Sequence, residues 1–145
     1  MATTNVWMLV IFTCILLFLL CVLVLRACAD AGAELAFSYQ GEAFAKRVEP
    51  LAASVGSDFM VDCDVTDDAT LDRAFGELAA RWPTIDFLVH AIAYSDKNEL
   101  KGLYADTTRE NFSRTMIISC FSFTEIAKRA AAMMNEGGSM ITLTY

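Results

Sequence analysis

Hydrophobic side chains are distributed differently at the two ends of this chain. From Val6 to Leu25 nearly every residue is apolar, and no charged side chain occurs before Arg26. These twenty residues, as a helix rising 1.5 Å per residue, would span about 30 Å, the thickness of the hydrocarbon core of a bilayer. The pattern therefore predicts an apolar N-terminal helix within residues 1–26, acting as a single-pass membrane anchor, and a globular domain over residues 27–145.

A soluble alternative is open for the same apolar run. Residues 6–11 could form a buried parallel strand and the following residues a core helix, because core strands of such sheets are continuously hydrophobic. Against this, no Gly, Pro, Asn or Asp occurs between Val6 and Leu25 to turn a strand into a helix. A cleaved signal peptide is disfavoured, because no Lys or Arg precedes the run and its apolar length exceeds the usual range of about 7–15 residues.

Charge sets the expected topology and excludes one class of partner. Basic residues follow the apolar run at Arg26, Lys46 and Arg47, and none precedes it, so the positive-inside rule places the globular part in the cytoplasm. We expect a single-pass membrane protein, with a cytoplasmic protein as the alternative. The net charge of −7 lies entirely after Leu25, and an acidic domain has no general attraction for nucleic acid phosphates.

After Arg26 short apolar runs alternate with amphipathic stretches. A helix end is predicted at residues 27–31, strands are predicted at residues 34–39, 58–61, 85–92 and 139–144, and helices at residues 42–55, 69–82 and 107–135. A polar loop is expected between the third strand and the last helix, over residues 94–106. The alternation predicts an α/β fold with a partial Rossmann-type parallel sheet, preceded by the apolar N-terminal helix.

Local signals mark where these elements begin and end. Gly32 suits the C′ position after a helix, and Pro50 predicts a kink or break in the following one. Gly137-Gly138 is expected to turn the chain into the last strand. N-caps of the later helices are expected at Thr66 or Asp67 and at Thr107 or Thr108.

The cysteines and the single histidine exclude several kinds of site. Five cysteines, an odd number in apolar surroundings, predict reduced and buried thiols rather than a disulfide framework. We expect no metal site and no Ser-His-Asp triad, because His90 has no suitable partner residues in the sequence. His90 is predicted to be a core histidine whose hydrogen bonds are satisfied.

Ligands of open parallel sheets bind beyond the carboxyl ends of the strands. Asp64 follows the second predicted strand, and it could accept a hydrogen bond from an adenine amino group or cap a turn within its aspartate cluster. Ala91 and Ala93 follow the third strand and are small, so a flat ligand could approach the backbone there. The predicted strand ends are Tyr39-Gln40, Cys63-Asp64-Val65, His90 to Ala93 and Thr144-Tyr145.

Residues 27–145 resemble the NADH-dependent enoyl-acyl-carrier-protein reductases of bacterial fatty acid synthesis, within the short-chain dehydrogenase superfamily. The similarity is strongest in residues 27–42, 46–52 and 63–68. In residues 87–100, His-Ala-Ile-Ala replaces the Asn-Asn-Ala-Gly of ordinary short-chain dehydrogenases. The resemblance covers most of this chain but only the first half of the family's length, and it implies strands two to five of the family fold.

The resemblance implies an activity and a set of site residues. The family transfers hydride from NADH to an enoyl thioester carried on acyl carrier protein, and its members are homo-oligomers. Gln40, with no Arg beside it, suits NADH over NADPH. Ser95 would lie near the acyl substrate, and Tyr145 matches the first of two active-site tyrosines. The residues implied to line the adenosine half of NADH are Gln40, Asp64, Val65 and Ile92.

The sequence departs from the family pattern in two places. The glycine-rich turn that brings pyrophosphate to a helix N-terminus is absent, since the first glycine is Gly32. The family's second tyrosine and its lysine would follow Tyr145. We therefore expect a catalytically incomplete reductase whose strands two and four lack their shared neighbour, strand one. The alternatives are a non-enzymatic membrane-tethered fragment or chimeric gene product, and a nucleotide-binding module that keeps only adenosine contacts.

Overall fold

The computed structural model describes residues 22–143. The chain divides into two compact units, one ending at Asp62 and the other beginning at Cys63. Within the described range each unit contains one pair of parallel strands, flanked by helices in chain order. The parallel α/β class predicted from the alternation is therefore confirmed. The predicted apolar helix lies outside the described residues, apart from residues 22–25.

The first unit begins with helix α1, described over residues 22–30. The Ala33 N–H donates to the Cys28 carbonyl (3.0 Å) and the Gly32 N–H to the Ala29 carbonyl (2.9 Å), and Gly32 has a φ of +88°. These two bonds and the left-handed glycine form a Schellman motif, which satisfies the last carbonyls of the helix. The predicted C′ role of Gly32 is confirmed. Arg26 lies inside this helix.

Strand β1 (Ala36–Tyr39), helix α2 (Gly41–Ser54) and strand β2 (Phe59–Asp62) complete the first unit. The strands pair in parallel, from Ala36 opposite Phe59 to Tyr39 opposite Asp62. Helix α2 contacts both strands and buries Ala52. It continues through Pro50 to Ser54, so the proline does not end this helix.

The second unit contains helix α3 (Asp68–Arg81), strand β3 (Ile85–His90), helix α4 (Arg109–Met116), helix α5 (Ser122–Ala131) and strand β4 (Met134–Thr142). A short 3-10 turn, Tyr104–Asp106, precedes α4, and a π-helical turn, Ile117–Phe121, joins α4 to α5. Asp67 caps α3 by accepting from the Ala69 N–H (2.9 Å), and Thr108 caps α4 by accepting from the Asn111 N–H (3.1 Å). The structure thus selects one residue from each predicted pair of N-caps.

The last strand differs from the prediction. It begins at Met134, directly after a helix that ends at Ala131, and it includes the Gly137-Gly138 pair that was expected to form a turn. Ile85 pairs with Met134 but Phe87 pairs with Ser139, so the glycines lie in a bulge of the ladder. Gly137 has a φ of +82°, a conformation that suits a bulge as well as a turn. The helix therefore ends four residues before the predicted Asn135.

Burial in the second unit is concentrated between α3, α5 and the sheet. Leu71 and Ala130 are at most 1% exposed, and Arg129 of α5 donates to Asp72 (2.8 Å) and Asp68 (3.0 Å) of α3. The apolar run that predicts the third strand is not uniformly buried, since Phe87 is 37% exposed and Val89 is 45% exposed. One face of this two-stranded sheet is therefore open in the described range.

Two further sequence predictions, on the apolar N-terminal segment and on the cysteines, have different outcomes. No helix among residues 22–143 is long and apolar enough to cross a bilayer, and the predicted anchor at residues 6–25 lies largely outside that range. The described cysteines carry no disulfide, but only Cys63 is buried, while Cys28 is half-buried and Cys120 is exposed. The prediction of uniformly buried thiols is wrong for Cys120, because that residue lies on an open side of the π-helical turn.

Candidate functional site

Gln40 occupies the junction between a strand and a helix. It follows β1 directly and is the N-cap residue of α2, with extended backbone angles of φ −110° and ψ 107°. Its side chain makes no capping bond to the described helix; instead the Gly41 N–H donates to Asp62 Oδ1 at 2.8 Å. Gly41 has a φ of +68°, which allows the sharp change of direction. The Gln40 side chain is thus exposed at the carboxyl end of the strand without serving the helix start.

Asp64 forms a turn between β2 and α3. Its Oδ1 accepts from the Thr66 N–H (2.9 Å) and the Thr66 hydroxyl (2.7 Å), while its own N–H donates to Thr70 Oγ1 (3.0 Å). The structure therefore forms the turn-capping arrangement that the aspartate cluster suggested. A carboxylate has about four acceptor positions, so this arrangement is compatible with a further donor. Val65, the next residue, is half-buried.

His90 ends β3 and is 2% exposed. Its Nε2 lies 2.8 Å from Ser122 Oγ, and its Nδ1 lies 3.0 Å from Thr142 Oγ1. Ser122 donates its single hydroxyl proton to the Ile118 carbonyl (2.6 Å), so it must accept from His90 Nε2–H, and Thr142 then donates to Nδ1. Burial lowers the pKa of His90 below its usual value, which favours this neutral form. The prediction of a satisfied core histidine is confirmed.

The segment after β3 carries two of the predicted site residues. Ile92 and Ser95 are half-buried, and Ala91 and Ala93 on either side of Ile92 are exposed. The Ser119 side chain of the π-helical turn bonds the Tyr94 backbone, accepting from its N–H at 2.9 Å and donating to its carbonyl at 3.2 Å. Irregular backbone near the interior needs such partners, because an unpaired N–H group is costly to bury.

Further along, the same segment is bonded to the start of α4. Asn111, which is 7% exposed, accepts from the Asp96 N–H (3.0 Å) and approaches Ser95 Oγ with its amide nitrogen (3.4 Å). The Glu99 carboxylate accepts from both the hydroxyl (2.8 Å) and the N–H (2.9 Å) of Thr108. The hydrogen bond from the Thr108 backbone lowers the pKa of Glu99 most, and the bond from the Thr108 hydroxyl lowers it further. Glu99 is thus held as an anion.

An open cleft of about 360 Å³ lies beside this segment. Ser95, Asn111 and Thr115 supply polar groups to its wall. The sequence pattern does not mark its apolar residues, three of which lie within a polar loop and the fourth on helix α4. These are Leu100, Leu103, Tyr104 and Phe112, exposed by 69%, 72%, 82% and 50%.

The predicted site residues thus fall into separate groups. Asp64 and Val65 share the turn before α3, while Ile92 and Ser95 share the segment after β3. Gln40 belongs to the first unit, and Tyr145 lies outside the described residues. Among the residues the structure describes, no group of three or more His, Cys, Asp or Glu side chains could hold a metal ion.

Parallel strands, each followed at its carboxyl end by a turn or loop with polar groups, define an α/β protein of the Rossmann type. A family profile described as Enoyl-(Acyl carrier protein) reductase matches residues 23–145. The chain belongs to this enoyl-(acyl carrier protein) reductase family.

Individual relatives agree with the profile. The chain is 67% identical over 120 residues to enoyl-[acyl-carrier-protein] reductase [NADH] 2 of Rhizobium meliloti, covering 83% of this chain and 45% of the relative. It is 49% identical over 114 residues to the FabI reductase of Rickettsia bellii, covering 79% of this chain and 44% of the relative. The chain therefore spans less than half the length of these curated relatives.

Solved structures show the same fold. The crystal structure of FabI from Candidatus Liberibacter asiaticus superposes with a TM-score of 0.79 at 56% identity, over 86% of this chain and 49% of that one. The reductase of Anaplasma phagocytophilum, solved in complex with NAD, gives a TM-score of 0.78 at 51% identity, over 83% of this chain and 46% of that one.

Proposed function

We propose that this chain provides the cofactor-binding half of an NADH-dependent enoyl-acyl-carrier-protein reductase, which reduces enoyl thioesters in fatty acid biosynthesis. The observation that carries the proposal is the 67% identity to an NADH-dependent reductase over 120 residues. The NAD complex of the Anaplasma phagocytophilum relative supports the choice of cofactor. NADH, when bound, supplies the hydride.

The proposed adenosine contacts are Gln40, Asp64, Val65 and Ile92. The exposed amide of Gln40 is proposed to bond a ribose hydroxyl, since an amide can both donate and accept. It is followed by Gly41 and Glu42, and an acidic neighbour opposes the 2′-phosphate of NADPH. The Asp64 carboxylate, which accepts from Thr66, is proposed to accept from an adenine amino group as well.

The proposed substrate contacts lie at the cleft beside residues 94–107. Ser95 supplies a hydroxyl group there, and the exposed apolar side chains of Leu100, Leu103 and Phe112 suit an acyl chain. Tyr145 is proposed to hydrogen-bond the thioester oxygen as negative charge develops on it. The acyl-carrier-protein substrate and the homo-oligomeric state stay proposals drawn from the relatives.

We further propose that residues 1–145 alone do not turn over substrate. No glycine precedes Gly32, so the chain has no glycine-rich turn at which pyrophosphate could approach backbone N–H groups. Adenosine contacts without that turn predict weak NADH binding. NADH-dependent reduction of crotonyl thioester by the purified chain would overturn this part of the proposal.

The cofactor assignment is tested by titrating the full chain with NADH in mild detergent and measuring the heat of binding by calorimetry. Gln40→Ala is expected to weaken NADH binding up to about tenfold, the usual net contribution of one hydrogen bond. Asn98→Ala, at an exposed position on the loop, is the matched control and should bind as the parent does. Absence of saturable binding, or equal affinity of the parent and Gln40→Ala, would contradict the assignment.

A membrane tether stays a second proposal because residues 6–25 are apolar and uncharged. Membrane attachment and NADH binding are compatible in one molecule. Partition of the full chain into detergent-free buffer would overturn the tether, and retention in a membrane pellet after alkaline washing would support it. This result does not affect the cofactor assignment.

A further inference from the structure

Polar side chains form a stripe along the helix that follows the candidate site. The stripe consists of Thr108, Asn111, Thr115, Ser119 and Ser122. Successive members are separated by three or four residues, so they share one helical face. A helix face that packs against the rest of the protein is usually apolar. A polar stripe on such a face therefore calls for a specific set of partners.

Members of the stripe bond the chain between His90 and Glu99. Ser122 bonds the His90 side chain, and Ser119 bonds the Tyr94 backbone. Asn111 accepts from the Asp96 N–H, and Thr108 donates to Glu99. The order of contacts is reversed along the two segments, so residues 90–99 run antiparallel to α4 and its continuation. Thr115 completes the set by donating to Asn111 Oδ1 at 3.4 Å.

Two members of the stripe bond backbone groups of the loop. Ser119 satisfies both the N–H and the carbonyl of Tyr94, as a neighbouring strand would. Asn111 holds the N–H of Asp96 and reaches Ser95 Oγ with its other amide atom. Residues 94 and 96 are thus bonded on either side of Ser95.

Ordinary satisfaction of buried polar groups does not fully explain this arrangement. Ser119 lies within the π-helical turn Ile117–Phe121, an irregularity that is rare and frequent at functional sites. Arg114 adds a further contact to the same point, with its guanidinium 5.1 Å from the centre of the Tyr94 ring. The Ser119 hydroxyl of the π-helical turn and the Arg114 guanidinium of α4 thus both contact Tyr94, the residue that precedes Ser95.

We propose that Asn111 and Ser119 are positioning residues that hold the backbone on either side of Ser95, and so place its hydroxyl at the wall of the acyl cleft. The inference rests on the proposed function, because the cleft is assigned to an acyl thioester there. Neither residue is proposed to contact the substrate's reacting atoms. Their role is to fix the loop before the substrate binds, which reduces the ordering cost of binding.

Site-resolved amide hydrogen exchange on the full chain tests the positioning itself without any ligand. Ser119→Ala is expected to lower the protection of the Tyr94 amide about tenfold, and Asn111→Leu that of the Asp96 amide by a similar factor, since each loses one hydrogen bond. Ser119→Thr keeps the hydroxyl and should restore protection at Tyr94. Ser113→Ala, on an exposed position of the same helix, is the control and should change neither amide.

The internal reference is the Asn98 amide, which donates to Asp96 Oδ1 within the loop (2.8 Å) and should keep its exchange rate in Ser119→Ala. Unchanged protection at Tyr94 and Asp96 would overturn the proposal. If a variant fails to fold, the amide exchange rates of the parent chain provide the test. Exchange of the Tyr94 and Asp96 amides as fast as in an unstructured peptide would also overturn the positioning proposal.

Crotonyl-pantetheine, added to the parent and the variants, separates this proposal from the proposed function. Both proposals predict a shift of the Ser95 amide resonance on addition to the parent. The positioning proposal alone predicts a weaker affinity for Ser119→Ala. Reduced protection in the variants with no thioester binding by the parent would leave the positioning intact and contradict the substrate assignment. Equal thioester affinity in parent and Ser119→Ala would overturn the functional part of the positioning role.

Discussion

The chain leaves β1 and β3 in two different ways. After β1 a single residue, Gln40, separates the strand from α2, and the turn is formed by Gly41 with help from Asp62. After β3 the chain runs from residue 91 to residue 108 before α4 begins. The first connection needs one left-handed glycine and one bond to Asp62, whereas the second depends on several side chains of the helices that follow it.

The difference shows what each connection can do. A one-residue junction places one polar side chain at a strand end with little freedom. A long loop can form a cleft wall, but it must find partners for its backbone groups elsewhere. Ser119 and Asn111 supply those partners. The sequence of the long connection can therefore vary only as long as its backbone groups still find hydrogen-bond partners on the helix stripe.

The largest expected effect concerns the core of the unit that contains the long connection. Leu71 of α3 is 1% exposed, and Leu71→Ala should destabilise the protein by about 2–5 kcal/mol through lost burial and a cavity. Leu103→Ala, at a 72% exposed position, is the control and should change stability by no more than about 0.5 kcal/mol. Urea unfolding followed by circular dichroism measures both. Equal losses would show that burial at Leu71 does not support the second unit.

The next effect tests the short connection. Gly41→Ala places a side chain at a φ of +68° and should cost about 1–2 kcal/mol. Gly76→Ala, in the interior of α3 where an added Cβ meets no described atom within 4 Å, should instead stabilise by about 0.5–1 kcal/mol. The two glycine variants are compared by their urea midpoints. Stabilisation by both would refute the claim that backbone conformation decides the junction.

A third comparison concerns the helix caps of the two units. Asp67→Ala removes the oxygen that accepts from the Ala69 N–H and should cost about 1 kcal/mol. Gln40→Ala changes the equivalent N-cap position of α2. The glutamine side chain makes no capping bond there, so a loss of capping free energy of only a few tenths of a kcal/mol is expected. Thermal unfolding of both variants measures the difference. A loss at Gln40 as large as that at Asp67 would assign a structural role to Gln40.

The smallest expected effect is a pH dependence from His90. Its pKa is lowered by burial in the folded protein, so between the unfolded value of about 6.5 and the folded value only the unfolded chain binds the proton. This contribution to stability is therefore complete above the unfolded pKa and is lost as pH falls towards the folded pKa. His90→Gln should remove that part of the slope when unfolding is compared at about pH 7 and pH 5. An unchanged slope would mean that the pKa of His90 is the same in the folded and the unfolded chain.

Local sequence signals identified most element boundaries. Gly32 ends α1 by a left-handed turn, and Asp67 and Thr108 cap the helices expected to start beside them. These predictions succeeded because each cap depends on residues within about one turn of itself. Gly137-Gly138 was assigned to the wrong structure, because the same positive φ serves a turn or a bulge and only the pairing strand distinguishes them.

The residues and their resemblance to the reductases were sufficient for the α/β class, the family and the role of His90 as a core histidine, since these depend on periodicity, composition and short motifs. The tautomer of His90, the selection of Ser119 and Asn111 as partners of Tyr94 and Asp96, and the cleft beside Leu103 required the folded chain. Each of these joins residues that are about fifteen or more positions apart or depends on the shape of a loop. Sequence periodicity describes which face a residue lies on, whereas hydrogen bonding over such separations is decided by how the chain packs in three dimensions.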